Sequence, residues 1–170
     1  MSELEPVPAS AARTTLSQIM TSLDVNLLGT VHGGVVMRLV DSVAGAVAGR
    51  HSAGAAVTVS MDEMVFLEPV RVGDLVHAHA QVNWAGRTSM EVGVRVTAER
   101  WDETAPAMHV ASAYLVFVAV DQHGHPRPVP PVSAASPDDH RRFAEAEIRR
   151  QHRLARRDEI QRLRESSAKD

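Results

Sequence analysis

An asparagine, a pair of glycines and an aspartate stand close together in NLLGTVHGGVVMRLVD, residues 26–41. Gly33 and Gly34 open an apolar stretch and leave backbone N–H groups uncovered by side chains. With a helix dipole behind them, such groups polarise a carbonyl and hold a developing oxyanion. Asn26 offers an amide able to orient water or that carbonyl. On a helical wheel Asp41 falls beside Met37, Ala44 and Ala48, at the edge of the apolar stripe. A carboxylate placed there, partly out of water, is a candidate base. Each residue also has a plainer reading. Asp41 could pair with Arg38 one turn earlier as a surface carboxylate. Glycine pairs mostly serve turns, and a loop asparagine is often a turn or cap residue. Together, however, they supply a base, an amide and an oxyanion donor around one helix start.

These groups need elements to position them. From Gly33 to about Arg50, Val36, Val40, Val43 and Val47 recur at helical spacing, which predicts a buried helix rich in Ala, Gly and Val. The period then changes to two. Ala56–Phe66, Leu75–Trp84 and Ser89–Trp101 alternate apolar residues with polar ones such as Thr58, Asp62, His77, His79, Glu91 and Arg95. They read as strands with one wetter face. His109–Asp121 is apolar on both faces, as a central strand would be. One helix followed by long strands without intervening helices predicts an α+β fold with an antiparallel sheet.

Residues 1–13 read as a flexible leader, and 123–137, rich in proline, as an extended linker. Ser136-Pro137-Asp138-Asp139 reads as a helix start with Ser as N-cap. A charged helix is expected over 138–165, supported by pairs such as Asp138–Arg142, Glu145–Arg149 and Asp158–Arg162, and a disordered tail over 166–170. Phe143, Ile148, Leu154 and Ile160 do not share a face, so a mostly solvated arm docked at its start is expected.

The chain has 170 residues, 44% of them hydrophobic and 23% charged, with a formal net charge of −3. That length fits one domain, and so small a charge gives no general reason to expect nucleic acid. The helix predicted at the C-terminus holds many arginines, but its acids nearly balance them. Cysteine is absent, which excludes disulfides and thiolate chemistry. A metal site would have to use histidine and carboxylates. His77 and His79 share a strand face without a third ligand nearby, and solvated histidines are expected there, as at His123 and His125. The first residues lack the apolar run of a signal peptide, and no stretch is long and apolar enough to cross a bilayer. A soluble cytoplasmic protein without a nucleic acid or membrane partner is expected.

Asn-x-x-Gly-x-x-His-Gly-Gly, followed by Asp seven residues after the second glycine, resembles the signature of hotdog-fold acyl-CoA thioesterases. The resemblance continues in FLEPVRVGD (66–74), AGRTS (85–89) and FVAVDQHGHPRPVP (117–130), and spans about residues 14–131. It points to the bacterial hexameric and brain-type cytosolic acyl-CoA hydrolases. It implies a hotdog domain over 14–122, with a long central helix wrapped by an antiparallel sheet. It further implies protomers paired edge to edge, a homodimer assembling into a hexamer as a trimer of dimers. In that picture Asp41 of one subunit activates water or attacks the thioester. Asn26 of the other subunit positions the reactants, and Gly34 polarises the carbonyl. His32 and Gly33 would support the site, His32 as a packed or hydrogen-bonding residue. The turn Gly86, Arg87, Thr88, Ser89 would lie near the CoA nucleotide, where an arginine suits phosphate. No cofactor is required; CoA enters as part of the substrate. One departure is Glu68, where relatives commonly carry lysine; a carboxylate facing the CoA phosphates would repel them. The resemblance therefore implies an acyl-CoA thioesterase. A non-catalytic acyl-CoA sensor using the same groove is the alternative, although a sensor has no need of a base. A hotdog hydratase would want an Asp and His pair that is not found.

Overall fold

The structure is a computed structural model and describes residues 4–167. The first residues of the expected leader and the last of the expected tail lie outside the described residues. Helix α1, Gly33–Ser52, runs through the middle, and Val36, Val40, Val43, Ala44, Val47 and Ala48 of its buried stripe are sealed from water. Around it lies a five-stranded antiparallel sheet in the order β2-β4-β5-β6-β3. Its strands are β2 (Thr14–Ile19), β3 (Ala56–Phe66), β4 (Leu75–Ala85), β5 (Ser89–Glu99) and β6 (Met108–Ala119). All five strands contact α1. Val76, Ala78, Ala80 and Val82 of β4 and Val92, Val94 and Val96 of β5 are buried in the same core. Small side chains on helix and strands let the two layers approach closely, which is why so few aromatic residues are needed to fill the interior.

Three segments differ from the expectations set by periodicity. Thr14–Ile19, not foreseen as a strand, pairs antiparallel with β4, Thr14 opposite Ala80 and Ile19 opposite Leu75. Val7–Pro8, within the expected flexible leader, forms strand β1, parallel to β7 (Val132–Ser133), and Ala9 and Ala12 are buried. The proline-rich segment is not a free spacer. Val129 is buried, Arg127 donates to the Ser52 carbonyl (2.8 Å) and the Val120 carbonyl (3.1 Å), and His51 Nε2 meets the Pro130 carbonyl at 2.9 Å. Proline supplies no ladder N–H, but its carbonyls still accept, so the segment docks on the end of α1 through the Pro130 carbonyl and the Arg127 guanidinium.

Helix α2, Pro137–Ser167, begins where Ser136 Oγ accepts from Asp139 N–H (3.1 Å) and Asp139 returns a carboxylate oxygen to Ser136 N–H (3.1 Å), the reciprocal arrangement of a capping box. Its first half lies on the face of the sheet opposite α1 and is docked well beyond its first turn. Ala146 is buried, Arg149 binds Glu91 of β5, and Arg153 binds Asp62 of β3. Arg149 therefore pairs with Glu91 and not with Glu145, which takes Arg141 instead at 2.6 Å. Asp158 pairs with Arg157 in place of Arg162. The last residues of α2, beyond Leu154, are exposed.

The two edges of the sheet differ. Short β2 is tied to β4 by side chains: Thr15 Oγ1 to His79 Nδ1 (2.9 Å) and Ser17 Oγ to His77 Nδ1 (2.7 Å). At the other edge β3 is long, its pairing with β6 shifts between Thr58 and Ser60 and between Met61 and Glu63, and Val57 and Val59 are 47% and 54% exposed. An apolar edge strand with free backbone groups is a template for pairing.

Candidate active site

Two clusters flank α1. At its start, His32 is the N-cap: its Nδ1 accepts the Gly34 N–H at 2.9 Å. The Gly34 amide, expected to stand uncovered, is thus occupied by a neighbouring imidazole. The Gly33 N–H has no partner among the described residues. Gly33 is also where the Phe66 ring closes in, since a Cβ there would meet Phe66 Cζ at 3.4 Å. Gly33, Phe66, Glu68 and Val70 line an open pocket of about 340 Å³. Glu68 therefore belongs to the helix-start pocket.

Asn26 organises the loop leading into the helix. Its Oδ1 accepts from the Leu28 N–H (2.8 Å) and the Thr30 N–H (3.3 Å), and its Nδ2 donates to Thr30 Oγ1 (2.9 Å). Gly29 adopts φ +77°, a left-handed conformation that suits glycine, and completes the turn. Asn26 is thus a turn residue within its own chain. Its second amide hydrogen, unpaired among the described residues, is the part that could meet a ligand. Leu27 and Leu28 flank it and are almost entirely exposed.

Asp41 lies two turns further along α1, on the exposed side of the stripe, and is not buried in the single chain. Thr58 Oγ1 of β3 donates to its Oδ1 at 2.7 Å. Thr58 is the residue that sequence reasoning missed. It was visible only as one polar member of a strand alternation, and nothing local in the sequence ties it to a carboxylate seventeen residues back. Met37, one turn before Asp41, is 41% exposed.

Seven residues of helix separate Gly34 from Asp41, which is about 10 Å of rise. Asp41 and the helix-start amides of one chain therefore stand well apart along the helix axis.

Gly86–Ser89 forms the tight connection between β4 and β5, closed by Gly86 N–H to the Ser89 carbonyl at 2.8 Å. Arg87 is exposed, and its carbonyl accepts from Val129 N–H (3.0 Å). Ser89 pairs with Val118 of β6, which pairs with Val57 of β3. The connection thus lies two strands, about 10 Å, from the row next to Thr58. The pocket with Glu68 lies at the other end of β3, where Phe66 pairs with Ala111.

On the outer sheet face the His77 and His79 rings stack 6.0 Å apart, with His77 Nε2 on Glu99 (3.1 Å) and His79 Nε2 on Thr97 (3.3 Å). Burial, then the charges of His77 and Arg95, lower the pKa of His79. Among the described residues no group of three or more His, Cys, Asp or Glu could hold a metal ion, and no helix is long and apolar enough to cross a membrane.

A long helix gripped by an antiparallel sheet, with His-Gly-Gly at its start and a carboxylate midway along it, is the hotdog thioesterase architecture. The sequence pattern of the thioesterase superfamily matches residues 28–105. The chain is 35% identical over 146 residues to a cytosolic acyl coenzyme A thioester hydrolase of Mus musculus, an alignment covering 85% of this chain and 38% of that protein. It thus spans about two fifths of that relative's length. Among solved structures it resembles an apo-hexameric acyl-CoA thioesterase (34% identity, TM-score 0.86, covering 90% of this chain and 97% of that one). It also resembles an acyl-CoA hydrolase of Staphylococcus aureus solved with butyryl coenzyme A, coenzyme A and coenzyme A disulfide (31%, TM-score 0.86, 95% and 98%). Further structures of the S. aureus enzyme carry alanine in place of an aspartate, an asparagine and a threonine. The chain belongs to the thioesterase superfamily.

Proposed function

We propose that this protein hydrolyses the thioester of an acyl-CoA, giving the free acid and CoA. The observation that carries the proposal is the Thr58–Asp41 hydrogen bond, 2.7 Å, on the open flank of α1. A hydroxyl donor fixes one carboxylate oxygen and leaves the other facing water, the arrangement a general base or nucleophile needs. The aspartate, asparagine and threonine replaced in the S. aureus structures are spaced along that chain as Asp41, Asn26 and Thr58 are here, which supports the same assignment.

The reaction site is completed by a second copy of the chain. Asp41 of one protomer attacks the thioester carbonyl or takes the proton of an attacking water. The partner's helix start polarises the carbonyl oxygen through the Gly33 N–H, beside a Gly34 amide already capped by His32, and the partner's Asn26 amide orients the reactants. Collapse of the tetrahedral species breaks the C–S bond, and the thiolate leaves as CoA-SH after protonation. Where Asp41 is itself the nucleophile, water then hydrolyses the acyl-aspartyl anhydride to release the acid and restore the carboxylate. The exposed apolar residues Val57 and Val59 of the β3 edge and the separation of Gly34 from Asp41 support pairing along β3. The hexameric relatives support assembly of such dimers into a trimer of dimers. The Gly86–Ser89 connection, with Arg87 free to meet phosphate, receives the CoA nucleotide. No cofactor takes part. A cytoplasmic location accords with the cytosolic relative.

Free-thiol release from acyl-CoAs of two to eighteen carbons and an aromatic acyl-CoA, with wild type and Asp41→Asn, tests the proposal. Turnover of at least one substrate and a loss of about a hundredfold in a folded variant are expected. Binding of acyl-CoA without thiol release by the wild type would replace hydrolysis with sensing.

A further inference from the structure

Helix α2 reaches the other face of the sheet at one place with unusual specificity. Glu91 of β5 has a side chain only 3% exposed, yet it is charged and fully engaged. Arg149 grips it with two bonds, Nε to Oε2 at 3.1 Å and Nη2 to Oε1 at 2.7 Å, and Asn83 Nδ2 adds a third at 3.1 Å. The Arg149 guanidinium also lies 3.6 Å from the centre of the Tyr114 ring. Asn83 sits where the β4–β5 register shifts, between Val82 and Trp84. Gly93 makes room for it, since a Cβ there would fall 2.4 Å from Asn83 Nδ2. The next helix residue, Arg150, places its guanidinium 5.0 Å from the Trp84 ring. That ring packs so closely on Gly86 that a Cβ would fall 2.5 Å from it.

Trp84 and Glu91 are register partners, and they bracket the connection: Trp84 is two residues before Gly86, and Glu91 two after Ser89. Two consecutive arginines of α2 thus hold the two stems of one hairpin. A buried ion pair contributes little net stability against an apolar replacement, but its fork geometry permits one orientation. Arg153 anchors the same helix to Asp62 of β3, away from the hairpin, and would suffice for mere attachment.

We propose that α2 sets the Gly86–Ser89 hairpin in the conformation that receives the nucleotide of CoA, with Arg149 and Arg150 as positioning residues. This rests on the reading that the hairpin meets the nucleotide. The phosphates are contacted by the hairpin, Arg87 foremost, while the two α2 arginines act from behind the sheet and touch no substrate.

The test compares an acyl-CoA with the acyl-pantetheine thioester of the same acyl group, which lacks the nucleotide. Steady-state constants are measured for wild type, Arg87→Ala, Arg149→Lys, Arg150→Ala and Arg87→Ala combined with Arg150→Ala. Arg149→Lys and Arg150→Ala are expected to raise KM for acyl-CoA about fivefold to tenfold with kcat unchanged, and to leave acyl-pantetheine hydrolysis as it was. In the Arg87→Ala background, Arg150→Ala adds nothing, because both act on one contact. Equal changes for both substrates, or a fall in kcat alone, would overturn the proposal and leave α2 a structural brace. Arg150 is exposed, so Arg150→Ala remains decisive even where Arg149→Lys does not fold. If Arg87→Ala treats the two substrates alike, the hairpin is not the nucleotide site, and the underlying reading falls together with this one.

Discussion

Asp41 and Glu91 are both carboxylates within a hotdog domain, and their surroundings are opposite. Glu91 is sealed under α2, with Arg149 and Asn83 supplying three hydrogen bonds to its two oxygens. Asp41 stands on the open flank of α1 with a single hydroxyl partner, Thr58, and no cation paired with it among the described residues. A carboxylate buried under a helix with three hydrogen bonds is out of reach of a substrate, and removing one of its partners strands a buried charge. A carboxylate held by one bond is oriented yet free to take a proton or attack. The first is a structural fastening and the second, under the proposed function, a reagent, although both are single acids in otherwise apolar stretches of sequence.

The contrast breaks most visibly in stability. Glu91→Ala, which leaves Arg149 and Asn83 without their acceptor, is expected to cost about 3 kcal/mol in urea unfolding. Asp41→Asn is expected to change the same quantity by less than about 0.5 kcal/mol. Activity is expected to reverse the order, Asp41→Asn lowering kcat by about a hundredfold, near 2.7 kcal/mol of barrier, in a chain that unfolds like wild type. Thr58→Val keeps the shape of the side chain and removes the donor. It is expected to lower kcat about tenfold, the scale of one hydrogen bond to a charged group, and to leave unfolding nearly unchanged.

The smallest effect concerns pH. His51 is buried and its pKa is lowered by burial, against the opposing pull of the Pro130 carbonyl. Its folded pKa lies below the ordinary 6.5, so the unfolded chain binds the proton more readily. Its contribution to stability is complete above about pH 6.5 and is lost as pH falls from there through the folded value. Tm should fall on acidification through this window, and His51→Asn should flatten that part of the curve.

Much of the fold is legible because burial imposes periodicity. The valines of α1 recur at helical spacing, and β4 and β5 alternate, since each must cover one layer of core. Strand β2 escapes because Thr14–Ile19 carries only Leu16 and Ile19 among hydroxyl and amide residues; it is held by backbone pairing and by the hydroxyl–histidine contacts. The docking of α2 escapes for a related reason. It is fastened by arginines to carboxylates on β5 and β3, and hydropathy counts all of these as solvated. Glu91 accordingly reads as a wet-face residue and is found buried. In the candidate site, Asn26, Gly33, Gly34 and Asp41 are legible because they crowd into one short segment. Thr58 is brought to Asp41 only by the packing of the β3 edge on α1. That Gly34 is capped by His32, and that Asn26 closes its own turn, are local hydrogen-bond choices that spacing does not reveal.

The central claim is that the reaction site is shared between two copies of the chain. Asp41→Asn and Asn26→Ala chains, each expected to be inactive alone, are unfolded together, refolded as a mixture and assayed for thiol release. In a mixed dimer one site joins an intact Asp41 to an intact Asn26, and the other loses both. Recovery of roughly a quarter of wild-type activity is expected at equal proportions. Activity no greater than that of the two variants assayed separately, with mixed dimers demonstrably formed, would place both residues in one chain's site and contradict it.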